Sequence, residues 1–163
     1  MEAIFKRVSV RKYLDKEVED EKIEKILRAA MASPTAMNQQ EWEFYVIKDK
    51  SKLEELSTVT PYSGFVKNAP CAIVVCSKRE TIREEFRDID CALCTENMLL
   101  EMAHLGLGGC MIGISPDKEK IEKLNNMINI KEGLDSFTLI PFGYPETYKE
   151  QEDRFDKEKV HYI

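Results

Sequence analysis

The sequence predicts a mixed α+β (α/β) fold in which helices cover both faces of a sheet. Three segments support this prediction. Residues 18–31 carry apolar side chains at helical spacing, residues 71–76 form an almost continuous apolar run, and residues 88–107 form a long apolar helix. An apolar run of strand length is typical of a strand buried on both faces, so helices are expected above and below it.

The first half of the chain predicts three helices and one strand. A short helix is expected over residues 3–8. A longer amphipathic helix follows over residues 18–31, with acidic residues in its first turn and Pro34 at or beyond its end. Its apolar face comprises Ile23, Ile26, Leu27 and Ala30. Residues 44–47 predict a strand, a short helix begins at Asp49 or Ser51, and residues 61–70 form a loop.

The second half begins with the buried strand at residues 71–76. The helix over residues 88–107 has little polar face, so it belongs in the centre of the fold or at a subunit interface. A helix over residues 116–127 and a strand over residues 136–145 follow. The last 18 residues are polar with scattered apolar side chains, and they are expected to pack on another protein surface such as that of a second subunit. We therefore expect four or so strands and five or six helices, in one domain that spans residues 1–163.

Composition excludes several classes of function. The chain has 163 residues, of which 43% are hydrophobic and 33% charged, and its net charge is -6. This acidic balance argues against a nucleic-acid partner, which a basic face would bind. Neither an apolar run of about 20 residues, as a membrane span requires, nor a signal-peptide pattern is evident. We therefore expect no membrane association and a cytoplasmic location.

Five cysteines form an odd number, which argues against a disulfide framework in an intracellular protein. Cys91 and Cys94 have C-x-x-C spacing. They are either a metal or redox pair or two small buried residues on one helix face, and the second interpretation is favoured because no second pair or nearby His completes a zinc site. Cys110 is not expected to be a hydrolase nucleophile, since neither His104 nor His161 has an obvious partner.

The segment around residues 7–11 has the chemistry of a phosphate site. Arg7, Ser9 and Arg11 place two guanidinium groups and a hydroxyl within five residues, which suits a phosphate monoester. The alternative is a group of solvated basic residues that balance an acidic protein.

A second polar segment, residues 33–42, opens onto Trp42 and an apolar strand. It is rich in hydroxyl and amide groups, and an amide offers both a donor and an acceptor to a ligand edge. The candidate binding residues are Pro34, Thr35, Ala36, Asn38 and Gln40. The alternative is a polar helix–strand connection in which Trp42 anchors the core.

Two further segments complete the pattern. Residues 106–113 read Gly-Leu-Gly-Gly-Cys-Met-Ile-Gly, which alone indicates a helix end followed by a tight turn. The glycines follow a helix rather than a strand, so they do not match a dinucleotide fingerprint. Residues 143–145 read Gly-Tyr-Pro, and Arg154 follows. On sequence alone, Arg154 is either a phosphate ligand or an exposed residue of a charged tail.

In this order, the four segments resemble the FMN-dependent nitroreductase family. Its members often carry Arg-Arg-Ser-x-Arg, Ala-Pro-Ser-Ala-x-Asn-x-Gln-Pro-Trp, Gly-Leu-Gly-Ser-Cys-Trp-Ile-Gly and Gly-Tyr-Pro. The resemblance extends from Arg7 to Arg154, with Val8 and Glu41 as departures from an Arg and a Pro. It implies a central, mostly antiparallel sheet of four to five strands and an obligate homodimer with two FMN sites at the interface.

The resemblance also implies roles for individual residues. Arg7 and Ser9 would hold the FMN phosphate and ribityl side, and Arg11 would lie near flavin N1 and the C2 oxygen. The loop with Pro34, Thr35, Ala36, Asn38 and Gln40 would reach the flavin bound mainly by the other subunit. Main chain at Cys110, Met111, Ile112 and Gly113 would run along the flavin, and Arg154 would reach the phosphate.

The activity implied is an NAD(P)H oxidoreductase with a ping-pong cycle. NADH or NADPH would deliver a hydride to flavin N5, and a nitroaromatic, quinone or similar flat electron-poor acceptor would then take it. No catalytic side chain and no metal are expected. The alternatives are a same-fold flavoenzyme with another reaction, such as reductive dehalogenation or oxidation of a peptide ring, and a non-catalytic FMN-binding or interaction protein.

Overall fold

The computed structural model describes residues 2–149 and 151–163. Over these residues the chain forms five α-helices and five strands, with short 3-10 turns between them. The helices are α1 (Glu2–Lys6), α2 (Asp20–Met31), α3 (Lys50–Leu56), α4 (Arg87–His104) and α5 (Lys118–Met127). The strands are β1 (Trp42–Ile47), β2 (Cys71–Lys78), β3 (Gly108–Gly109), β4 (Ile112–Gly113) and β5 (Leu134–Gly143).

The sheet has the predicted antiparallel form. Its strand order is β1-β2-β5-β3, and β4 also pairs with β5. Every pairing between these strands is antiparallel. Strand β2 lies between β1 and β5, and all its residues but Lys78 are buried, which confirms the strand predicted from the apolar run.

Helices cover both faces of the sheet, as predicted. Side chains alternate between the two faces of a strand, and β2 follows this rule. Ile73 and Val75 pack in one core with α2 and α4. Ala72 and Val74 pack in a second core with α3 and α5. The sheet is therefore the middle layer of three, and the loops at its edges are left to form a site.

Helix boundaries shift by a few residues from those predicted, for local reasons. Helix α3 begins at Lys50 because the Asp49 side chain accepts a hydrogen bond from the amide of Lys52 and caps it. Asp117 caps α5 in the same way. Helix α4 ends at His104 rather than residue 107, since Gly106 adopts a left-handed φ of 74°.

The long helix α4 is only partly enclosed within one protomer. Met98 and Met102 are fully buried in the core. Ile89 and Leu93 are 54% and 44% exposed. The C-terminal residues 151–163 are also largely exposed, including Phe155 and Tyr162. Few contacts within this chain therefore bury the side chains of the tail.

Candidate active site

The segment carrying Arg7, Ser9 and Arg11 runs from α1 to the edge of the sheet. The amide of Val10 donates to the carbonyl of Gly109 at 3.0 Å, and the hydroxyl of Tyr13 donates to the carbonyls of Val10 and Pro141 at 2.6 and 3.0 Å. These bonds fix the backbone of the segment against the sheet. Its polar side chains consequently stand beside the glycine-rich turn.

The glycine-rich turn allows this close approach. A Cβ atom on Gly108 would lie 2.3 Å from Cγ2 of Val10, well inside van der Waals contact. Only glycine therefore lets residues 7–11 lie directly against β3. The chain then continues through Cys110 and Met111 into β4.

A cavity of about 440 Å³ lies where this turn meets the segment. Arg11, Cys110, Met111, Ile112 and Gly113 line it, as the sequence predicts for one shared site. The remaining lining residues come from the loop after α3 and from α5, and they are Thr60, Pro61, Tyr62, Phe65 and Lys120. Cavities of 300–1,000 Å³ with mostly apolar walls and a few polar groups are typical of small-molecule sites.

Arginine and aromatic side chains meet in this cavity. The Arg11 guanidinium carbon lies 5.8 Å from the centroid of the Phe65 ring, within range of a cation–π interaction. Burial raises the pKa of the Cys110 thiol, and the Arg11 charge and a hydrogen bond from Ser9 offset part of that shift. A raised pKa disfavours the thiolate that a nucleophilic cysteine requires.

Arg7 also lies close to this centre, although it lines a neighbouring cavity of about 550 Å³. Its charge influences the Cys110 thiol together with that of Arg11. Its Nε atom lies 3.5 Å from Oε1 of Glu96, whose side chain is 53% exposed. A partly exposed pair of this kind is worth at most about 1 kcal/mol, so it restrains the Arg7 guanidinium only weakly.

The loop over residues 34–40 is held by helix α4. Both carboxylate oxygens of Asp90 accept from the amide of Ala36 at 3.1 Å, and Oδ2 also accepts from Nε2 of Gln39 at 2.9 Å. The amide of Gln40 donates to Oγ1 of Thr35 at 3.2 Å. None of residues 34–40 is among the described residues that line the 440 Å³ cavity.

Side chains in this loop are turned outward. Asn38 and Gln40 are exposed and bonded to each other, Nε2 of Gln40 donating to Oδ1 of Asn38 at 2.9 Å. Trp42, by contrast, is buried in the core, as predicted. Arg154 is exposed and does not line the cavity within the described chain, so its phosphate contact stays a prediction.

The cysteine pair is buried as the favoured interpretation expects. Cys91 and Cys94 are both fully buried in the core on one face of α4. Burial raises the pKa of the Cys94 thiol to about 12. Over residues 2–149 and 151–163, no group of three or more His, Cys, Asp or Glu side chains is placed to hold a metal ion.

Sequence reasoning missed the wall formed by residues 60–65 and the role of Asp90. The Thr-Pro-Tyr-Ser-Gly-Phe run combines turn formers with two aromatic residues, a composition that could have marked it as a binding loop.

No helix in the described ranges has the length and apolar character to cross a membrane.

Comparison with known proteins agrees with this geometry. The model of the family described as "Nitroreductase family" matches residues 4–60 and 54–144, and these ranges include residues 7–11, 33–42 and 110–113. The chain belongs to the nitroreductase family. The family match ends before Arg154, the predicted site residue with the weakest structural support.

Individual nitroreductase relatives match over almost the entire chain. A Methanothermobacter thermautotrophicus protein named "putative NADH dehydrogenase/NAD(P)H nitroreductase" is 40% identical over 163 residues, covering 99% of this chain and 85% of its own. The crystal structure of a "putative NADH oxidase" from Clostridium acetobutylicum superposes with a TM-score of 0.94 at 42% identity, covering 98% and 97% of the two chains. An FMN-dependent nitroreductase from Clostridium difficile gives 0.91 at 31% identity, covering 99% and 98%.

Proposed function

We propose that this protein is an FMN-dependent oxidoreductase that transfers a hydride from NADH or NADPH to a flat electron-poor acceptor. The observation that carries the proposal is the shared cavity. Arg11 and the main chain from Cys110 to Gly113, which the sequence links only through the nitroreductase motifs, line one space of about 440 Å³. The names of the relatives, which specify NAD(P)H and FMN, support the same activity.

The residues of the cavity fit a flavin mononucleotide. Phe65 and Tyr62 offer aromatic surface to a planar ring, and Met111 and Gly113 expose the main chain. Arg7 and Ser9 would hold the phosphate and ribityl side, and Arg154 would add a second cation to the phosphate. When bound, FMN would accept the hydride at N5 and pass it to the acceptor.

Arg11 supplies the electrostatics of the proposed reaction. The Arg11 side chain is exposed and lines the cavity, so its charge is available to a ligand. A guanidinium beside the pyrimidine edge stabilises the negative charge that this edge gains on reduction. Carboxylate and imidazole side chains are missing from the described lining of the cavity, which fits chemistry carried by the cofactor.

The proposed site is shared between two subunits of a homodimer. The loop with Pro34, Thr35, Ala36, Asn38 and Gln40 points polar groups outward and lies outside the cavity of its own protomer. Exposed apolar side chains on α1, α4 and the C-terminal tail offer the surface for such an association. They include Phe5, Ile89, Leu93 and Phe155.

The open 440 Å³ cavity also suits a ping-pong cycle. The reduced nicotinamide and the acceptor would occupy the same space over the ring in turn, because both would exchange the hydride at flavin N5. Flat molecules such as nitroaromatics and quinones suit a space walled by aromatic side chains.

The test is an absorption spectrum of the purified protein, reconstituted with FMN, before and after anaerobic addition of NADH or NADPH. We expect flavin absorption bands between roughly 300 and 550 nm that bleach on addition of one donor or both. Flavin bands that persist with both donors would refute the NAD(P)H oxidoreductase while leaving FMN binding intact. Failure to bind FMN at all would refute the proposal.

A further inference from the structure

Glu41 is buried at the junction between the 34–40 loop and β1, and its carboxyl group lacks the hydrogen-bond donors that a buried carboxylate normally has. The residue is 1% exposed. Neither oxygen accepts a hydrogen bond from an N–H or O–H group within the described chain. An ionised carboxylate without partners in such a position would cost several kcal/mol, so this group is protonated in the folded protein.

The neighbour of Glu41 is Asp90, which is only 3% exposed. Asp90 is the residue that accepts the loop's hydrogen bonds from Ala36 and Gln39. Ala36 and Gln39 donate to Asp90, whereas no hydrogen bond that meets the same distance and angle limits reaches either Glu41 oxygen in the described chain, so the proton of the pair is assigned to Glu41. The Glu41 carboxyl lies within hydrogen-bond reach of Asp90 and can donate that proton to it.

The loop needs this restraint because its backbone is strained. Met37, Asn38 and Gln40 have φ values of 52°, 52° and 45°. The left-handed region is unfavourable for a residue with a side chain, so three such residues within four positions need contacts from outside the loop to stay in place. The hydrogen bonds from Ala36 and Gln39 to Asp90 on α4 supply this restraint.

We propose that Glu41 is a positioning residue for the cofactor site: its protonated carboxyl donates to Asp90 and keeps that side chain bonded to the 34–40 loop. The contact with FMN rests on the function proposed above, whereas the contact with the loop does not. Ionisation of Glu41 would place two carboxylates against each other in the core and release the amide of Ala36.

The surroundings of Glu41 give this arrangement a definite pH dependence. Burial raises the pKa of Glu41, and the Asp90 charge raises it further. The other titratable groups that face it are the Cys91 and Cys94 thiols on α4, whose pKa values burial also raises. Asp90 is thus the one charge that faces Glu41 among the described residues, and the loop should loosen as the pH rises through the pKa of Glu41.

The first experiment measures hydrogen exchange of the Ala36 amide in the FMN-free protein between pH 5 and 9, corrected for intrinsic rates. We expect its protection to fall by about tenfold across the titration of Glu41, the change that corresponds to losing one hydrogen bond to a charged group. Glu41→Gln should remove the decline, because its amide still donates to Asp90 and does not ionise. Glu41→Leu, which removes the donor, should leave Ala36 weakly protected at every pH.

Glu43→Gln is the matched control, since it makes the same side-chain change two residues further along the chain, within β1. It should follow the wild-type profile. A Glu41→Gln profile that declines as in the wild type would overturn the proposal, as would full protection of Ala36 in a folded Glu41→Leu protein. Thermal melts establish that each variant is folded.

The second experiment titrates FMN into the same proteins across the same pH range. We expect the FMN Kd of the wild type to rise with pH, in parallel with the loss of Ala36 protection, and that of Glu41→Gln to stay constant. FMN binding with no such parallel would overturn the link to the cofactor site. Absence of FMN binding in every protein, with the exchange profiles as expected, would refute the proposed function while sustaining the role of Glu41 in the loop.

Discussion

At the scale of single residues, Arg11 concentrates most of the proposed chemistry. It lines the cavity formed with residues 110–113, and its guanidinium carbon lies 5.8 Å from the Phe65 ring centroid. A ring edge that gains negative charge on reduction is stabilised by such a group, so the charge should favour the reduced cofactor over the oxidised one.

Arg11→Gln should therefore lower the midpoint potential of the bound flavin. We expect a shift of roughly 30 mV or more, which equals about 1.4 kcal/mol for a two-electron couple. The measurement is anaerobic reduction against a reference dye. Lys12→Gln removes an exposed neighbouring charge and should leave the potential within error; equal shifts in both variants would show that general charge, rather than the position of Arg11, sets the potential.

At the scale of elements, the contact between residues 7–11 and β3 depends on one missing side chain. A Cβ on Gly108 would lie 2.3 Å from Cγ2 and 2.8 Å from Cβ of Val10. Overpacking of this kind typically costs 1–3 kcal/mol, because the backbone or the neighbour must move.

Gly108→Ala should lower the free energy of unfolding by about 1–3 kcal/mol in urea denaturation. Gly64→Ala is the control, since nothing lies within 4 Å of its added Cβ. Combining Gly108→Ala with Val10→Ala should recover part of the loss. A Gly108→Ala protein as stable as the wild type would mean that the segment is free to move away from β3.

A second element-scale contact joins the ends of β2, α4 and β5 through Asp135. Its Oδ1 accepts from Nε of Arg79 at 2.8 Å and its Oδ2 from Arg87 at 3.1 Å. Burial alone would raise the pKa of Asp135, but the two arginines outweigh it and lower the pKa below its usual 3.8. A depressed carboxyl pKa stabilises the fold above the unfolded-state value, and this contribution is lost as the pH falls through the folded-state value.

Asp135→Asn should therefore cost about 1 kcal/mol near neutral pH, within the range for partly exposed ion pairs. The difference in Tm between the variant and the wild type should shrink below pH 4 and vanish once Asp135 is protonated in both states. Glu80→Gln, a change of equal charge on a neighbouring exposed residue, should show no such convergence. A Tm difference that stays constant to pH 2 would contradict the role of the ion pairs.

The elements were more predictable than the contacts between them. The helical spacing of apolar residues indicated α2, and a continuous apolar run indicated β2, because the burial of an element leaves a local pattern in the sequence. Ile23, Ile26 and Ala30 are indeed buried. The pairing of Arg11 with Phe65 joins segments more than 50 residues apart, so local patterns contain no sign of it. Burial of Glu41 was equally hidden, because a glutamate in a polar stretch is normally exposed.

At the scale of the whole molecule, the proposed dimer would account for two features of the single chain. The 34–40 loop presents polar side chains away from its own cavity, and Ile89, Leu93 and Phe155 are exposed. One association would resolve both features if the loop of each subunit entered the site of the other. Light scattering should then give twice the mass of the 18.9 kDa chain.

Mixed dimers test this sharing directly. Arg7→Ala and Asn38→Ala should each weaken FMN binding, Arg7→Ala by about 1.5–3 kcal/mol, the range for a hydrogen bond to a charged group. In a shared site, a dimer of one Arg7→Ala subunit and one Asn38→Ala subunit has one site with both defects and one with neither. Differently tagged subunits, co-expressed and purified as the heterodimer, should therefore bind one FMN with wild-type affinity.

The homodimers of each single variant serve as controls, because both their sites carry one defect. If each subunit builds its site alone, every site of the heterodimer carries one defect and wild-type affinity is never recovered. The stoichiometry of tight FMN binding thus separates the two arrangements, one per dimer against none, without reference to the electron acceptor.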